Sequence, residues 1–315
     1  MIELRDIKKT YGNVVALDGI SLVMEKSKIC MLLGPSGCGK STLLRLVNRL
    51  IDQDSGEILV NGKSNLSYRP EELRRNMGYA IQGVGLFPHM TVGENISVVP
   101  KLYKWDANRI SARIEELLDL VGLPRSYASK LPRELSGGEA QRVGVARALG
   151  ADPEFLLMDE PFGALDPVTR KRLQREFLEI QRRLKKTVVF VTHDINEAAT
   201  LADQLVIMKE GTIVAAGTPE EIACCEDDTI VNFLGNGFGL ELLERHGLAE
   251  NLSLFQRVSQ PVDMHEILRF DRESTMKEIM ASFLLSDKTL FSVEGVPDIF
   301  VYSTKPISQL LMKCD

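Results

Sequence analysis

Eight residues, Gly34-Pro35-Ser36-Gly37-Cys38-Gly39-Lys40-Ser41, follow the spacing G-x-x-x-x-G-K-[ST]. Three glycines let the backbone wrap so that successive N–H groups point at one anion, and Lys40 supplies a cation to the β and γ phosphates of a nucleotide. Ser41 offers a hydroxyl to Mg²⁺, with Thr42 opening the following helix beside it. The context agrees with the motif, because the apolar run Ile29–Leu33 precedes it and Leu43-Leu44-Arg45-Leu46 follows. A glycine turn in front of an ordinary helix is the competing reading. It lacks an explanation for the lysine-serine pair.

Two further groups carry acid–base and anion-binding chemistry. Phe155-Leu156-Leu157-Met158 reads as a buried strand that ends in Asp159-Glu160. Strand ends often carry solvated acids. Together with a phosphate loop, however, Asp159 is expected to hold Mg²⁺ and Glu160 to polarise an attacking water as general base. Leu135-Ser136-Gly137-Gly138-Glu139 then sets Ser-Gly-Gly at the start of a helix running to about Leu149, a second helix terminus suited to an anion.

The order phosphate loop, Leu-Ser-Gly-Gly-Glu, Asp159-Glu160 resembles the nucleotide-binding subunit of ATP-binding cassette (ABC) transporters, over roughly residues 1–234. The resemblance implies ATP and Mg²⁺ as bound species and several single-residue roles. Tyr11 would stack on adenine, although a lone tyrosine in a strand-turn segment otherwise reads as packing. Gln82 would join Ser41 and Asp159 around Mg²⁺ and sense the attacking water, His193 would contact the γ-phosphate, and Asp166 in Ala164-Leu165-Asp166 would lie at a dimer interface. Ser136, Gly137, Gly138 and Glu139 would act in trans, across a head-to-tail homodimer. Cys38 is expected to be a small filler within the loop.

Gly83–Ile96, with glycines around Leu86-Phe87-Pro88, would form the docking surface for an integral-membrane permease, against the plainer reading of a loop folded on its own apolar residues. The stretch from Gly78 to Trp105 resembles the branch that imports glycine betaine, carnitine or choline. That likeness implies a periplasmic or extracellular solute-binding protein as an indirect partner. It also implies a peripheral position on the cytoplasmic face of the cell membrane. The alternatives are an ATPase importing amino acids or another small solute, an exporter subunit, and a soluble ABC ATPase outside transport.

The elements that must position these residues are an α/β core with a mainly parallel sheet, from strands at 28–33, 77–81, 155–158, 187–191 and 204–208. An antiparallel side sheet is expected from Ile2–Lys8, Ala16–Glu25 and Glu57–Val60. The apolar spacing of Ile110, Ile114, Leu117, Leu118 and Val121 predicts a helix over Ala107–Val121, closed by Gly122 and Pro124.

The chain has 315 residues, long enough for one large and one small domain, with 38 basic and 44 acidic side chains and a net charge of −6. That balance argues against nucleic acid as a partner. No apolar run reaches the length of a membrane span, and the N-terminus reads as a mature cytosolic start. Five cysteines without paired spacing predict reduced thiols. The glycine-rich Gly235–Gly239 suggests a boundary between an ATPase domain, 1–234, and a regulatory or dimerising tail, 235–315. In that tail, helix 275–283, strands 290–293 and 299–302, and helix 307–313 suggest a single small α+β module resembling a degenerate CBS unit.

Overall fold

A computed structural model describes residues 1–302 apart from 82, 84, 164, 226, 236, 259–266 and 287. The chain divides into two compact units: residues 1–197 with 201–216, and 198–200 with the chain from Gly217 onward. The expected boundary at 234/235 falls inside the second unit.

The first unit opens with an antiparallel hairpin, β1 (Ile2–Tyr11) and β2 (Val14–Met24), registered from Ile2 opposite Met24 to Tyr11 opposite Val14. Then come β3 (Ile29–Leu33), α1 (Lys40–Val47), β4 (Ser55–Val60), β5 (Lys63–Ser64), α2 (Pro70–Arg75) and β6 (Met77–Ala80). Helices α3 (Val92–Leu102), α4 (Ala107–Leu120) and α5 (Gly137–Leu149) follow, before β7 (Phe155–Asp159), α6 (Pro167–Leu184), β8 (Thr187–Thr192), α7 (Ile195–Leu201), β9 (Gln204–Lys209) and β10 (Thr212–Gly217).

Two sheets result. The side sheet has the order β2-β1-β4-β5, as the alternating N-terminal pattern led us to expect. The central sheet runs β10-β9-β3-β8-β7-β6, with β9, β3, β8, β7 and β6 mutually parallel. All residues of β3, β7 and β8 are buried, which is why these strands read as continuous apolar runs: a parallel sheet is covered on both faces. One core joins the sheets through Ile2, Leu4, Leu32, Leu44, Phe155 and Val189. Behind β7 and β8, the rings of Phe162, Phe177 and Phe190 pack at centroid distances of 5.7–6.2 Å and fix α6 against the sheet. The predicted helix over 107–121 is α4, opened by Asp106, whose carboxylate accepts from the Arg109 N–H at 2.9 Å, and ended by Gly122 at φ 65°.

In the second unit, α8 (Pro219–Ala223), α9 (Asp228–Leu234), α10 (Phe238–Leu242) and α11 (Leu248–Asn251) precede β11 (Gln256–Arg257), β12 (Ile267–Phe270), α12 (Met276–Leu284), β13 (Leu290–Val293) and β14 (Ile299–Val301). The sheet order is β11-β14-β13-β12, with β12 parallel to β13 and α12 as their crossover. Helix 275–283 and strands 290–293 and 299–302 thus match α12, β13 and β14. The expected helix 307–313 lies outside the described residues, and β11 and β12 were not foreseen. A core of Phe255, Met276, Ile279, Phe283, Phe291 and Phe300 holds the unit together.

Among the described residues no helix is long and apolar enough to cross a membrane. Among the described residues Cys30, Cys38 and Cys225 are free thiols.

Candidate active site

The site is assembled at the carboxyl ends of three adjacent parallel strands, β3, β8 and β7, where open α/β sheets bind their ligands. The loop leaving β3 depends on glycine: Gly37 and Gly39 have φ 82° and 105°, and a Cβ on Gly39 would sit 2.6 Å from the Ala16 carbonyl oxygen. Gly39 also caps α1 without offering a side-chain acceptor, so the first-turn amides keep their capacity for an anion. Lys40 is only 6% exposed. Its Nζ donates to the carbonyl oxygens of Gly34 at 2.6 Å and Pro35 at 2.9 Å and lies 3.6 Å from the Cys38 sulfur. Cys38 is buried, and Pro35 and Ser36 form the exposed rim.

One helical residue further, the Ser41 hydroxyl donates to Asp159 Oδ1 at 3.1 Å. Burial raises the Asp159 carboxyl above the usual range; the Ser41 hydrogen bond opposes this, and the neighbouring Glu160 charge adds to it. A buried carboxylate beside a second acid and a serine oxygen is a hard-oxygen donor set, and it fits Mg²⁺. Gln82, the third expected ligand, lies outside the described residues, as does Ala164.

Glu160 is reached by a sharp turn. Its φ of 46° is left-handed, a conformation that costs about 1 kcal/mol for a residue with a Cβ. Two hydrogen bonds hold it there: Glu160 N–H donates to the Val191 carbonyl at 3.0 Å, and the Gly163 N–H donates to the Glu160 carbonyl at 3.2 Å. The turn brings Glu160 Oε1 to 3.0 Å from His193 Nδ1, just past β8, and the imidazole remains 58% exposed. Glu160 and His193 are therefore partners, a contact that sequence spacing could not reveal.

Ser136 caps α5 in a reciprocal capping box: its Oγ accepts from the Glu139 N–H at 3.3 Å, and Glu139 Oε2 accepts from the Ser136 N–H at 2.8 Å. Those bonds hold the Glu139 carboxyl below its ordinary range, with Tyr127 donating to its other oxygen at 3.1 Å. Gly137 faces open space, whereas a Cβ on Gly138 would meet the Thr169 methyl at 3.0 Å, so Gly138 lets α5 approach α6. A cleft of about 440 Å³ opens there, lined by Ser136, Gly137, Gly138, Asp166 and Thr169 among others. Asp166 itself caps α6, accepting from the N–H groups of Val168 and Thr169 at 3.1 Å each. Tyr11 stands at the β1–β2 hairpin tip, 46% exposed, with the Lys9 ammonium 5.7 Å from its ring centre.

The segment after β6 is held from beneath by Asn95 of α3. Its side chain accepts from the Phe87 N–H at 2.8 Å and donates to the carbonyls of Phe87, Met90 and Thr91 at 2.9–3.2 Å. Phe87 stays 41% exposed, while Arg147 of α5 donates to the Gly85 carbonyl. Sequence reasoning overlooked Asn95 and Arg147, and also Glu197, a carboxylate buried to 3% exposure on α7. The only textual hint of Glu197 is its place in front of two alanines.

Comparison with known proteins agrees with this architecture. The family described as ABC transporter matches residues 17–163. The chain is 52% identical over 223 residues to the glycine betaine/carnitine/choline transport ATP-binding protein OpuCA of Bacillus subtilis, covering 70% of this chain and 59% of that one. It is 48% identical over 252 residues to the glycine betaine uptake system ATP-binding protein YehX of Escherichia coli, covering 79% and 82% respectively. The chain thus spans about three fifths of the length of the first of these relatives. Among solved structures it resembles the dimeric post-hydrolysis state of the ATP-binding cassette MJ0796 bound to ADP and phosphate. There the TM-score is 0.62 at 31% identity, over 69% of this chain and 98% of that one. On its motifs, its sheet order and these likenesses, the chain belongs to the ABC transporter family.

Proposed function

We propose that this chain is the ATP-hydrolysing subunit of an ABC importer for glycine betaine, carnitine, choline or a similar quaternary amine. One observation carries the ATPase reading: a buried lysine, a serine–aspartate oxygen pair and a glutamate–histidine pair converge at the ends of three neighbouring strands. The solute class rests on the names of the relatives, which are those of glycine betaine, carnitine and choline systems.

In this reading the loop amides and Lys40 bind the phosphates, and Tyr11 packs on the base. Ser41, Asp159 and Gln82 would hold Mg²⁺, which supplies charge neutralisation at the phosphates when bound. Glu160 orients and deprotonates the water that attacks the γ-phosphorus. His193 holds Glu160 at one oxygen and reaches the γ-phosphate from its exposed edge. The cleft at Ser136 is lined by α5 and α6 residues rather than by the phosphate loop, which supports Ser136, Gly137, Gly138 and Glu139 acting on the nucleotide of a second copy, with Asp166 beside it. We further assign residues 1–234 to the ATPase domain and 235–315 to a regulatory or dimerising tail. Gly83–Ile96 would dock an integral-membrane permease at the cytoplasmic face of the membrane, supplied from outside by a solute-binding protein.

Glu160→Gln tests the chemistry: nucleotide binding should persist while turnover falls about 10²- to 10⁴-fold. Undiminished hydrolysis in that variant would remove Glu160 as the base. Reconstitution with permease and binding protein should then show hydrolysis stimulated by trimethylammonium compounds. Stimulation by amino acids or sugars alone would overturn the solute class.

A further inference from the structure

The short segment 192–197 after β8, which carries His193, is tied to α6 at two successive turns. Arg170 and Gln174, four residues apart, lie on one face of α6. Gln174 Nε2 donates to Glu197 Oε1 at 3.1 Å, and the Thr192 hydroxyl donates to the other oxygen of that buried carboxylate at 2.6 Å. Arg170 Nη1 donates to Asp194 Oδ2 at 2.9 Å, and Asp194 in turn accepts from the backbone of Asn196 at 2.8 Å. The segment on either side of the histidine is thereby clamped, while the imidazole meets Glu160.

The second arm of the same guanidinium points elsewhere. Arg170 Nη2 donates to the carbonyl oxygen of Leu165 at 3.1 Å, in the loop that ends with Asp166. One planar side chain therefore grips the loop before α6 with one nitrogen and the histidine segment with the other. Two fixed hydrogen-bond directions on a rigid fork transmit displacement in a way that a flexible ammonium cannot.

We propose that Arg170 is a positioning residue that links the Leu165–Asp166 loop to His193, so that the histidine meets Glu160 only while that loop is in place. This inference rests on the ATPase reading of the site. It adds that the loop bearing Asp166, at the edge of the Ser136 cleft, reports its position to the catalytic pair through one side chain.

The test is a double-mutant cycle in the 315-residue chain. Arg170→Ala should lower kcat about 10-fold or more with the KM for ATP within about twofold of wild type. Arg170→Lys, which cannot serve both acceptors in fixed geometry, should recover only part of the loss. In a His193→Ala background Arg170→Ala should cost little more, because its effect passes through the histidine. Equal losses in the two backgrounds, or full rescue by lysine, would overturn the proposal.

A second readout does not depend on turnover. The ring resonances of ¹⁵N-labelled His193, assigned by comparison with His193→Gln, should move toward those of a free imidazole in Arg170→Ala, with the melting temperature nearly unchanged. An unmoved His193 signal would refute the link. Were the wild-type chain to hydrolyse no ATP, the ATPase reading would fall while this signal still decided the tether.

Discussion

Gly78→Ala puts the packing of α5 against the sheet to a quantitative test. Gly78 sits in β6 with ordinary strand geometry, so alanine adds no backbone strain and the whole effect is steric. The new methyl would lie 2.2 Å from the Ala148 carbonyl oxygen in α5 and 2.8 Å from Leu156 Cδ2, where ordinary contact begins at 3.4 Å. The leucine can rotate, but the helix carbonyl cannot. Helix and strand must therefore part by about 1.2 Å, since interiors packed at crystal density hold no slack of that size.

Overpacking of this kind costs about 1–3 kcal/mol, or roughly 3–10 °C in melting temperature for a unit of this size. Because Ser136 caps α5, the same shift should reduce kcat about 10- to 100-fold and leave nucleotide affinity near wild type. Differential scanning fluorimetry, nucleotide titration and steady-state hydrolysis together read the three quantities. Gly62→Ala serves as the control: its methyl meets nothing within 4 Å and costs only the left-handed strain of φ 78°, about 1 kcal/mol. A Gly78→Ala protein that melts within 1 °C of wild type would refute the close approach of α5 and β6.

Two further outcomes follow from the site and its surroundings. Burial raises the Asp159 carboxyl, so its contribution to stability is full below the unfolded value and is lost as pH rises through the higher folded one. At neutral pH the ionised group is thus a cost in the nucleotide-free chain, and Asp159→Asn should raise the melting temperature there, with a smaller gain near pH 4. The same variant should weaken Mg²⁺-dependent nucleotide binding, and a lower melting temperature at pH 7 would contradict the sign. Asn95→Ala should leave the Phe87 N–H without its acceptor and the Met90 carbonyl without its donor, while the Phe87 and Thr91 carbonyls keep the backbone N–H groups of Met90 and residue 95, and cost about 1–3 kcal/mol. Limited proteolysis should then cut between residues 83 and 91 faster than in wild type; an unchanged cleavage rate would show that Asn95 does not hold that segment.

The strands of the central sheet from β3 to β9 and the helix α4 were legible because their causes are local, whereas α2, α3, α6, α7 and β10 were not read from the sequence. A parallel strand buried on both faces must be a short apolar run, as Ile29–Leu33 and Thr187–Thr192 are, and α4 declares itself through Asp106, its apolar stripe and Gly122. The phosphate loop was legible for the same reason, since its chemistry is written in eight consecutive residues. What the sequence could not disclose depends on residues far apart in the chain. The pairing of Glu160 with His193 requires β7 and β8 to be neighbours, and the left-handed turn at Glu160 is imposed by Val191 from the adjacent strand. Glu197 and Gln174 are polar residues in helices, indistinguishable in text from solvated ones until the packing of α6 buries them. In the tail, β12 is a four-residue strand, too short to separate from a loop before its partner β13 is known.

The capping box at Ser136 has a consequence for repeated use. Ser136 and Glu139 each satisfy the other's amide, so the cap of this helix is already formed in a solitary chain. The hydroxyl spends a lone pair on the cap and retains its proton, and helix geometry leaves the Gly137 and Gly138 amides without an intrahelical acceptor. An arriving anion therefore finds donors in place and displaces no bond that holds the helix. On the proposed reading, binding and release of a nucleotide phosphate at this end would require no fraying and rewinding, so the surface could be made and unmade many times without drawing on the stability of the fold.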